Sequence, residues 1–426
     1  MTMQRYRPAS NEREDYRDER CADLIGRPFM QTQGVDLGNP DLYTSLDRHI
    51  RWRELAADDA LVWSEPGSSP SGFWSVFSHR ACAAVLAPSA PFTSEYGMMI
   101  GFDRDHPDPS GGRMMVVTEQ EPHRRLRKLV GPLLSRSVAR SLAERVRTEV
   151  NSLLDRVLDG GVCDVTAAIG SRVPAAVVCE ILGVPAGDQD MLIDLTNHAF
   201  GGADEMYKGM TPRQAHTEIL VYFDELIDAR RARSGDDLIS TLVSDGGLTT
   251  EDVLLNCDNV LIGGNETTRH AITGAVHALA TVPGLLMALR DGSADVDTTV
   301  EEVLRWTSPA MHALRVTTGD VTINGCHLSP GTPVVAWLAA ANRDPAEFDD
   351  PGLFLHGRTP NRHITFGHGA HHCLGSALAR IELSVVLREL AERVTRVELV
   401  SEPTWLRAIV VQGYRELPVR FIGRRL

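Results

Sequence analysis

The chain has 426 residues, 43% of them hydrophobic and 23% charged, the balance of a globular protein with ample material for a core. A net charge of −14, with no basic tail or lysine-rich block to offset it, argues against a nucleic-acid binder. The polar opening MTMQRYRPASNEREDYRDER lacks the apolar stretch of a signal peptide. No later run reaches the roughly 20 apolar residues of a membrane span, so a cytoplasmic protein with no membrane partner is expected.

Residues 1–30 read as a flexible arm and 31–426 as a single domain, mainly helical with a small β portion. Short strand-like pieces fall at 59–63, 72–77, 321–323 and 333–337. Residues 93–117, TSEYGMMIGFDRDHPDPSGGRMMVV, form a long irregular stretch with two methionine pairs, the kind of loop that binds or covers a site. A helical pattern runs over 119–156, broken near Pro132. It opens on Glu121-Pro122-His123-Arg124-Arg125-Leu126-Arg127-Lys128, with proline favourably placed at a helix start. His123 and Arg127 lie four apart, on one helical face, and could grip a carboxylate-bearing ligand. A solvated basic face is the alternative, and on an acidic protein such a cluster also suits an acidic partner.

Residues 201–213 interrupt two further helical segments, and 250–282 read as one long helix. That helix carries Leu261-Ile262-Gly263-Gly264-Asn265-Glu266-Thr267-Thr268. Two mid-helix glycines cost roughly 1 kcal/mol each relative to alanine, a cost tolerated where something flat must lie against the backbone. A close helix crossing is the competing explanation. The Thr267 hydroxyl stands four residues after Gly263 and could bond its carbonyl. A helix over 296–306 contains Glu302 and Arg305, a spacing usually found as a surface pair worth a few tenths of a kcal/mol. Arg315 follows a helix-ending proline in Pro309-Ala310-Met311-His312-Ala313-Leu314-Arg315. Residues 345–360 form a turn-rich meander.

The seven cysteines, at positions 21, 82, 163, 179, 257, 326 and 373, are scattered and contain no CxxC pair. This excludes the usual zinc-ribbon, ferredoxin and c-type haem spacings. Six read as small buried hydrophobes. Cys373 is different. It sits in Phe366-Gly367-His368-Gly369-Ala370-His371-His372-Cys373-Leu374-Gly375, just before an amphipathic helix over 374–392. Unpaired N–H groups at a helix start favour a negative sulfur. The glycines would let a flat cofactor lie over it.

Taken together, in this order, these segments resemble the soluble bacterial cytochrome P450 family over about residues 35–420. The resemblance implies a triangular, mainly α fold with haem b (iron protoporphyrin IX) between the long helix and the cysteine-loop helix. It implies Cys373 as the iron ligand, with Phe366 shielding the sulfur and Gly367, Gly375 and Gly264 against the cofactor. His123, Arg127, Arg315 and His371 would hold its propionates. Thr267 and Glu266 would handle protons, and Glu302 with Arg305 would be a buried pair locking the meander near Arg358 and Asn361.

The implied activity is insertion of one oxygen atom from O2 into a C–H bond or double bond of a small molecule, with antibiotic or other natural-product tailoring as the expected setting. An amino acid or acyl group tethered to a carrier protein is the alternative substrate. A chain of this size leaves no room for a fused reductase. Electrons would come from a separate ferredoxin and its reductase, docking near Arg124, Arg125 and Lys128. The substrate pocket would draw on Met98, Met99, Met114, Val116, Phe200, Met206, Leu261, Gly264, Ala310, Met311 and Leu314. A peroxide-driven enzyme or a non-catalytic haem sensor fits less well, because Glu266 and Thr267 are both present.

Overall fold

The computed structural model describes residues 30–31, 35–56, 61–88, 90–101, 103, 106–158, 161–201 and 203–424. The expected arm at 1–30 lies outside these residues except for Met30.

Eight helices frame the interior: α1 Gln120–Val130, α2 Arg136–Leu158, α3 Arg172–Leu182, α4 Gln189–Gly201, α5 Pro212–Ala232, α6 Thr250–Thr281, α7 Val296–Thr307 and α8 Ser376–Arg393. The break near Pro132 is a 3-10 turn, Gly131–Leu134, between α1 and α2. The long helix α6 begins with a capping box. The Thr249 hydroxyl accepts from the Asp252 N–H at 3.2 Å, and the Asp252 carboxylate accepts from the Thr249 N–H at 2.9 Å. It crosses the centre of the molecule, packing on α3, α4, α5, α7 and α8. Val253, Cys257, Leu261, Ile272, Ala275 and Val276 are buried along it, within one large apolar cluster shared with α2, α3 and α8.

The β portion is small. Its main sheet joins β1 Met30–Gln31, β2 Val62–Ser64, β3 Phe73–Val76, β4 Phe92–Thr93, β5 Ala313–Thr317 and β6 Pro333–Ala336 in the order β1-β2-β3-β6-β5-β4. β5 and β6 are antiparallel, with Arg315 opposite Val334. A second sheet of three strands runs Val394–Leu399, Pro418–Gly423, Val162–Asp164. Every expected strand appears within a few residues of its expected bounds, and the α-dominated class holds.

Glu302 and Arg305 are both fully buried, not a surface pair. The Glu302 carboxylate accepts from Arg305 Nε at 2.8 Å and Nη2 at 2.7 Å, from the Leu355 N–H at 2.8 Å, from Arg358 Nε at 3.1 Å and from Asn361 Nδ2 at 3.1 Å. Arg305 spends its remaining N–H groups on the carbonyls of Asn342, Pro351 and Leu353. One carboxylate and one guanidinium therefore fasten the meander to α7. Helical spacing predicts the pair but not its burial, which comes from the meander folding over it.

Replacing Glu302 with alanine would leave Arg305 and Arg358 buried without a carboxylate. We expect a loss of about 3–5 kcal/mol of stability, read as a lowered urea-unfolding midpoint and a poor yield of folded protein.

Candidate active site

Between α6 and the cysteine loop lies a cavity of about 300 Å³, reached by Gly263, Gly264 and Thr267 from one side and by Phe366, Gly367 and Cys373 from the other. The loop 364–373 is wound tightly. The Gly367 N–H donates to Ile364 O and the Cys373 N–H to Phe366 O, both at 2.9 Å. Gly369 has φ +73°, and a Cβ there would sit 2.2 Å from the Leu86 carbonyl oxygen, so no other residue fits. Cys373 lies deep in the fold yet has an exposed surface, because it opens onto the cavity. Burial pushes its thiol pKa up. The N–H groups of Gly375 and Ser376 and the charges of Arg127 and Arg380 pull it back. Helix α8 begins at Ser376, so these are the first-turn donors expected to favour a thiolate.

One edge of the cavity gathers unspent positive charge. Arg127 and Arg315 both line it, and among the described residues neither has a carboxylate at ion-pair distance. Burial lowers the pKa of each. His123 is buried, stacks on His371 with ring centroids 4.1 Å apart, and leaves Nε2 without a partner. Desolvation, aided by His371 and Arg127, brings its pKa down to about 4. His371 is engaged differently: its Nε2 lies 3.1 Å from Glu119. An orphaned buried nitrogen and two unpaired guanidinium groups call for anionic oxygens. A sulfur donor on one face, an open helix face opposite and a cationic edge fit an iron porphyrin with two carboxylates.

On α6, the Thr267 hydroxyl donates to Gly263 O at 3.0 Å, as the spacing predicts, and the helix stays α through that turn. A Cβ on Gly263 would meet nothing within 4 Å, whereas one on Gly264 would sit 3.0 Å from Val178 Cγ2. Gly263 therefore gives the flat opening, and Gly264 serves the close crossing with α3. The close-crossing explanation holds at Gly264, and Gly263 leaves the helix face open toward the cavity. Glu266 does not line the cavity. It is buried against Arg269 Nη1 at 3.3 Å and His270 Nε2 at 3.1 Å. The His270 Nδ1 accepts from the Tyr414 N–H at 3.3 Å, which puts the ring proton on Nε2, facing Glu266. Although burial opposes the charge, Arg269 and His270 bring the Glu266 pKa down to about 2.

Of the expected pocket residues, Met98, Val116, Gly264 and Ala310 reach the cavity. The others do not. Met115 takes the place of Met114. Leu261, Met311 and Leu314 are buried in apolar clusters, the last two beside Trp337. Phe200 packs between two clusters, and Met99 and Met206 are exposed. Loop and strand side chains alternate in direction, so neighbours in sequence part company in space. Missed by the sequence reading are Asn259 on α6 and Pro174, Val177, Val178 and Ile181 on α3. Asn259 was legible in principle, four residues before Gly263 on the same face. Nothing in the apolar run of α3 marks it as cavity-lining. The basic cluster is partly neutralised: Arg124 pairs with Glu121 at 2.7 Å and Arg125 with Asp245 at 2.5 Å, while Lys128 is exposed.

The site is that of a haem-thiolate protein, and comparison with known proteins agrees. Residues 295–396 match the Cytochrome P450 family model. The chain is 35% identical over 400 residues to Cytochrome P450 NovI of Streptomyces niveus, covering 92% of this chain and 98% of that protein. A crystal structure of P450 OxyD, involved in the biosynthesis of vancomycin-type antibiotics, superposes with a TM-score of 0.89 at 84% identity, over 92% of this chain and 100% of that one. A structure of P450BioI with a ligated acyl carrier protein superposes with a TM-score of 0.79 at 28% identity, over 88% and 98% of the two chains. The chain belongs to the cytochrome P450 family, with its triangular fold and haem iron, and is a monooxygenase. No single helix among the described residues is long and apolar enough to cross a membrane.

One cavity-lining acid stands apart from all these groups. Glu382 on α8 is 3% exposed, and its Oε2 has no partner. Burial raises its pKa from 4.5 to about 8. The folded protein therefore binds a proton here that the unfolded chain releases above pH 4.5, so this group's contribution to stability falls as pH rises from 4.5 to about 8. Glu382→Gln should remove that fall. The urea midpoints of variant and wild type are expected to diverge steadily from pH 5 to pH 8, in favour of the variant.

Proposed function

We propose that this chain would hold haem b through the Cys373 thiolate as the iron ligand, and that it oxidises a small organic molecule in the biosynthesis of a natural product of the antibiotic type. The observation that carries the reading is the cavity itself. It places a buried, cation-flanked thiol opposite a glycine-opened helix turn, with an orphaned histidine nitrogen and two unpaired arginines along one edge. When bound, the haem would supply dioxygen activation, assisted by an electron-rich thiolate.

The protein's own residues do the rest. His123, Arg127 and Arg315 would take the propionates, with His371 at the same edge. Phe366 would shield the sulfur once the haem covers its cavity side. Apolar side chains such as Val116, Val260 and Ala310 exclude water from the substrate space, and the Asn259 amide gives one polar point at which a substrate can be oriented. Thr267 is the hydroxyl placed to hold and pass a proton on the cavity side of α6. Glu266, ionised down to a pH of about 2 and turned from the cavity, is a poor proton donor near neutral pH in this arrangement. Proton passage therefore rests on Thr267 and on water entering the cavity.

The relatives bear on the substrate. OxyD serves antibiotic biosynthesis, and P450BioI binds an acyl carrier protein. Tailoring of a free small molecule is our first reading. A carrier-tethered amino acid or acyl group is the second, and the P450BioI complex is what favours it. Thr267→Ala should raise the hydrogen peroxide released per electron pair several-fold, with product falling in step. The assay should use both free and carrier-loaded candidates. An unchanged ratio of peroxide to product would count against the role given to Thr267.

Electrons are proposed to arrive from a ferredoxin and its reductase in the cytoplasm. Arg124 and Arg125 are paired, and the exposed Lys128 has no ion-pair partner among the described residues. Lys128→Glu should slow reduction by an acidic ferredoxin more at low salt than at high salt. Stopped-flow rates insensitive to both salt and the substitution would move the docking site elsewhere.

A further inference from the structure

Phe366, beside the sulfur, carries a cation on its face. The guanidinium carbon of Arg380, on α8, lies 4.6 Å from the Phe366 ring centroid. Arg380 is not free to choose that place. Its Nε and Nη2 form a fork on the two oxygens of Glu301, at 2.6 and 2.9 Å, and its Nη1 reaches Ser376 O at 3.3 Å. Glu301 is held in turn by His363 Nε2 at 3.1 Å, and the His363 ring lies 6.0 Å from Phe366. The chain of contacts runs from α7 (Glu301) to α8 (Arg380) to the cysteine loop (Phe366), whose carbonyl accepts the Cys373 N–H. The positive end of the ion pair lies over the Phe366 ring, and its negative end is held by His363 and belongs to α7. Arg380 is one of two arginines whose charge favours the ionised Cys373 sulfur.

We propose that Arg380, oriented by Glu301 across the Phe366 ring, sets the reduction potential of the bound iron. This rests on Cys373 being the axial ligand. Accepting an electron makes the centre one unit more negative. A cation held in place nearby favours the reduced state. A neutral side chain there would leave the oxidised state favoured. The bidentate fork matters as much as the charge, because Arg380 is about one-third exposed and would turn to solvent without it. Arg380 and Glu301 are thus positioning residues, acting through Phe366 and Cys373.

The alternative is a purely structural staple between α7 and α8, and the potential separates the two. Spectroelectrochemical titration of the haem-loaded protein, without any redox partner, would compare wild type with Arg380→Gln, Arg380→Lys and Glu301→Gln. Arg380→Gln should lower the equilibrium constant for reduction between three- and tenfold. Arg380→Lys keeps the charge and loses the fork, so it should fall between the two. Glu301→Gln removes the fork and an anion together, and loss of the anion by itself favours reduction, so its potential should lie above that of Arg380→Gln. An unshifted or raised potential in Arg380→Gln protein that keeps a wild-type carbon-monoxide difference band overturns the proposal. So does loss of haem from Arg380→Gln together with an unshifted potential in Arg380→Lys. A wild-type band that is not of the thiolate type would instead overturn the axial-ligand assignment itself, and would show this before any variant is made.

Discussion

The structure depends on one buried carboxylate meeting one buried guanidinium. Glu302 and Arg305 occupy adjacent turns of α7 and between them satisfy groups from Asn342, Pro351, Leu353, Leu355, Arg358 and Asn361. Neither charge would be tolerable alone in the interior. Joined, they convert a turn-rich stretch with little apolar content into a rigid support. Asn342 extends the support by receiving the Ile364 N–H at 2.8 Å and donating to Thr365 Oγ1 at 2.8 Å. The loop carrying Cys373 starts from that anchored point.

The rest of the site answers a geometric demand. In the proposed arrangement Cys373 and the turn at Gly263 would hold the haem from opposite sides, and the cationic edge would take its acids. The loop is wound by glycine at Gly369 because the Leu86 carbonyl stands where a Cβ would be. The helix is opened at Gly263. The edge is met by cations left without carboxylate partners, a costly arrangement for the empty protein that suits a ligand bearing acids. Glu119, Glu301 and Glu266 all have lowered pKa values, held by His371, Arg380 and Arg269 respectively. Glu382 alone among the buried carboxylates described in this site is raised.

The sequence carried the fold class, the long helix and its glycine turn, the cysteine loop and the four residues of the cationic edge. The helices, the glycine turn and the His123–Arg127 pair rest on local rules of helical period and glycine tolerance, whereas Arg315 and His371 came only from the family resemblance. The sequence did not carry the pocket walls. Met114 and Met115 differ only in which way the backbone turns them, and α3 enters the cavity because of where α6 lets it cross at Gly264 and Val178.

What the sequence determined by itself, then, is the local setting of Cys373 and Thr267, because a sulfur just before a helix start and a hydroxyl four residues from a glycine carbonyl are set by neighbours along the chain. What only the tertiary structure decided is which charges are spent and which are free. Glu302 is a buried anchor, as the family resemblance but not the helical spacing implied, and Glu266 is locked against Arg269 and away from the cavity. Arg124 and Arg125 are paired, and Arg380 is aimed at Phe366. A charge acquires its role from the dielectric around it and from the partner within reach, and both are fixed by segments far away in sequence.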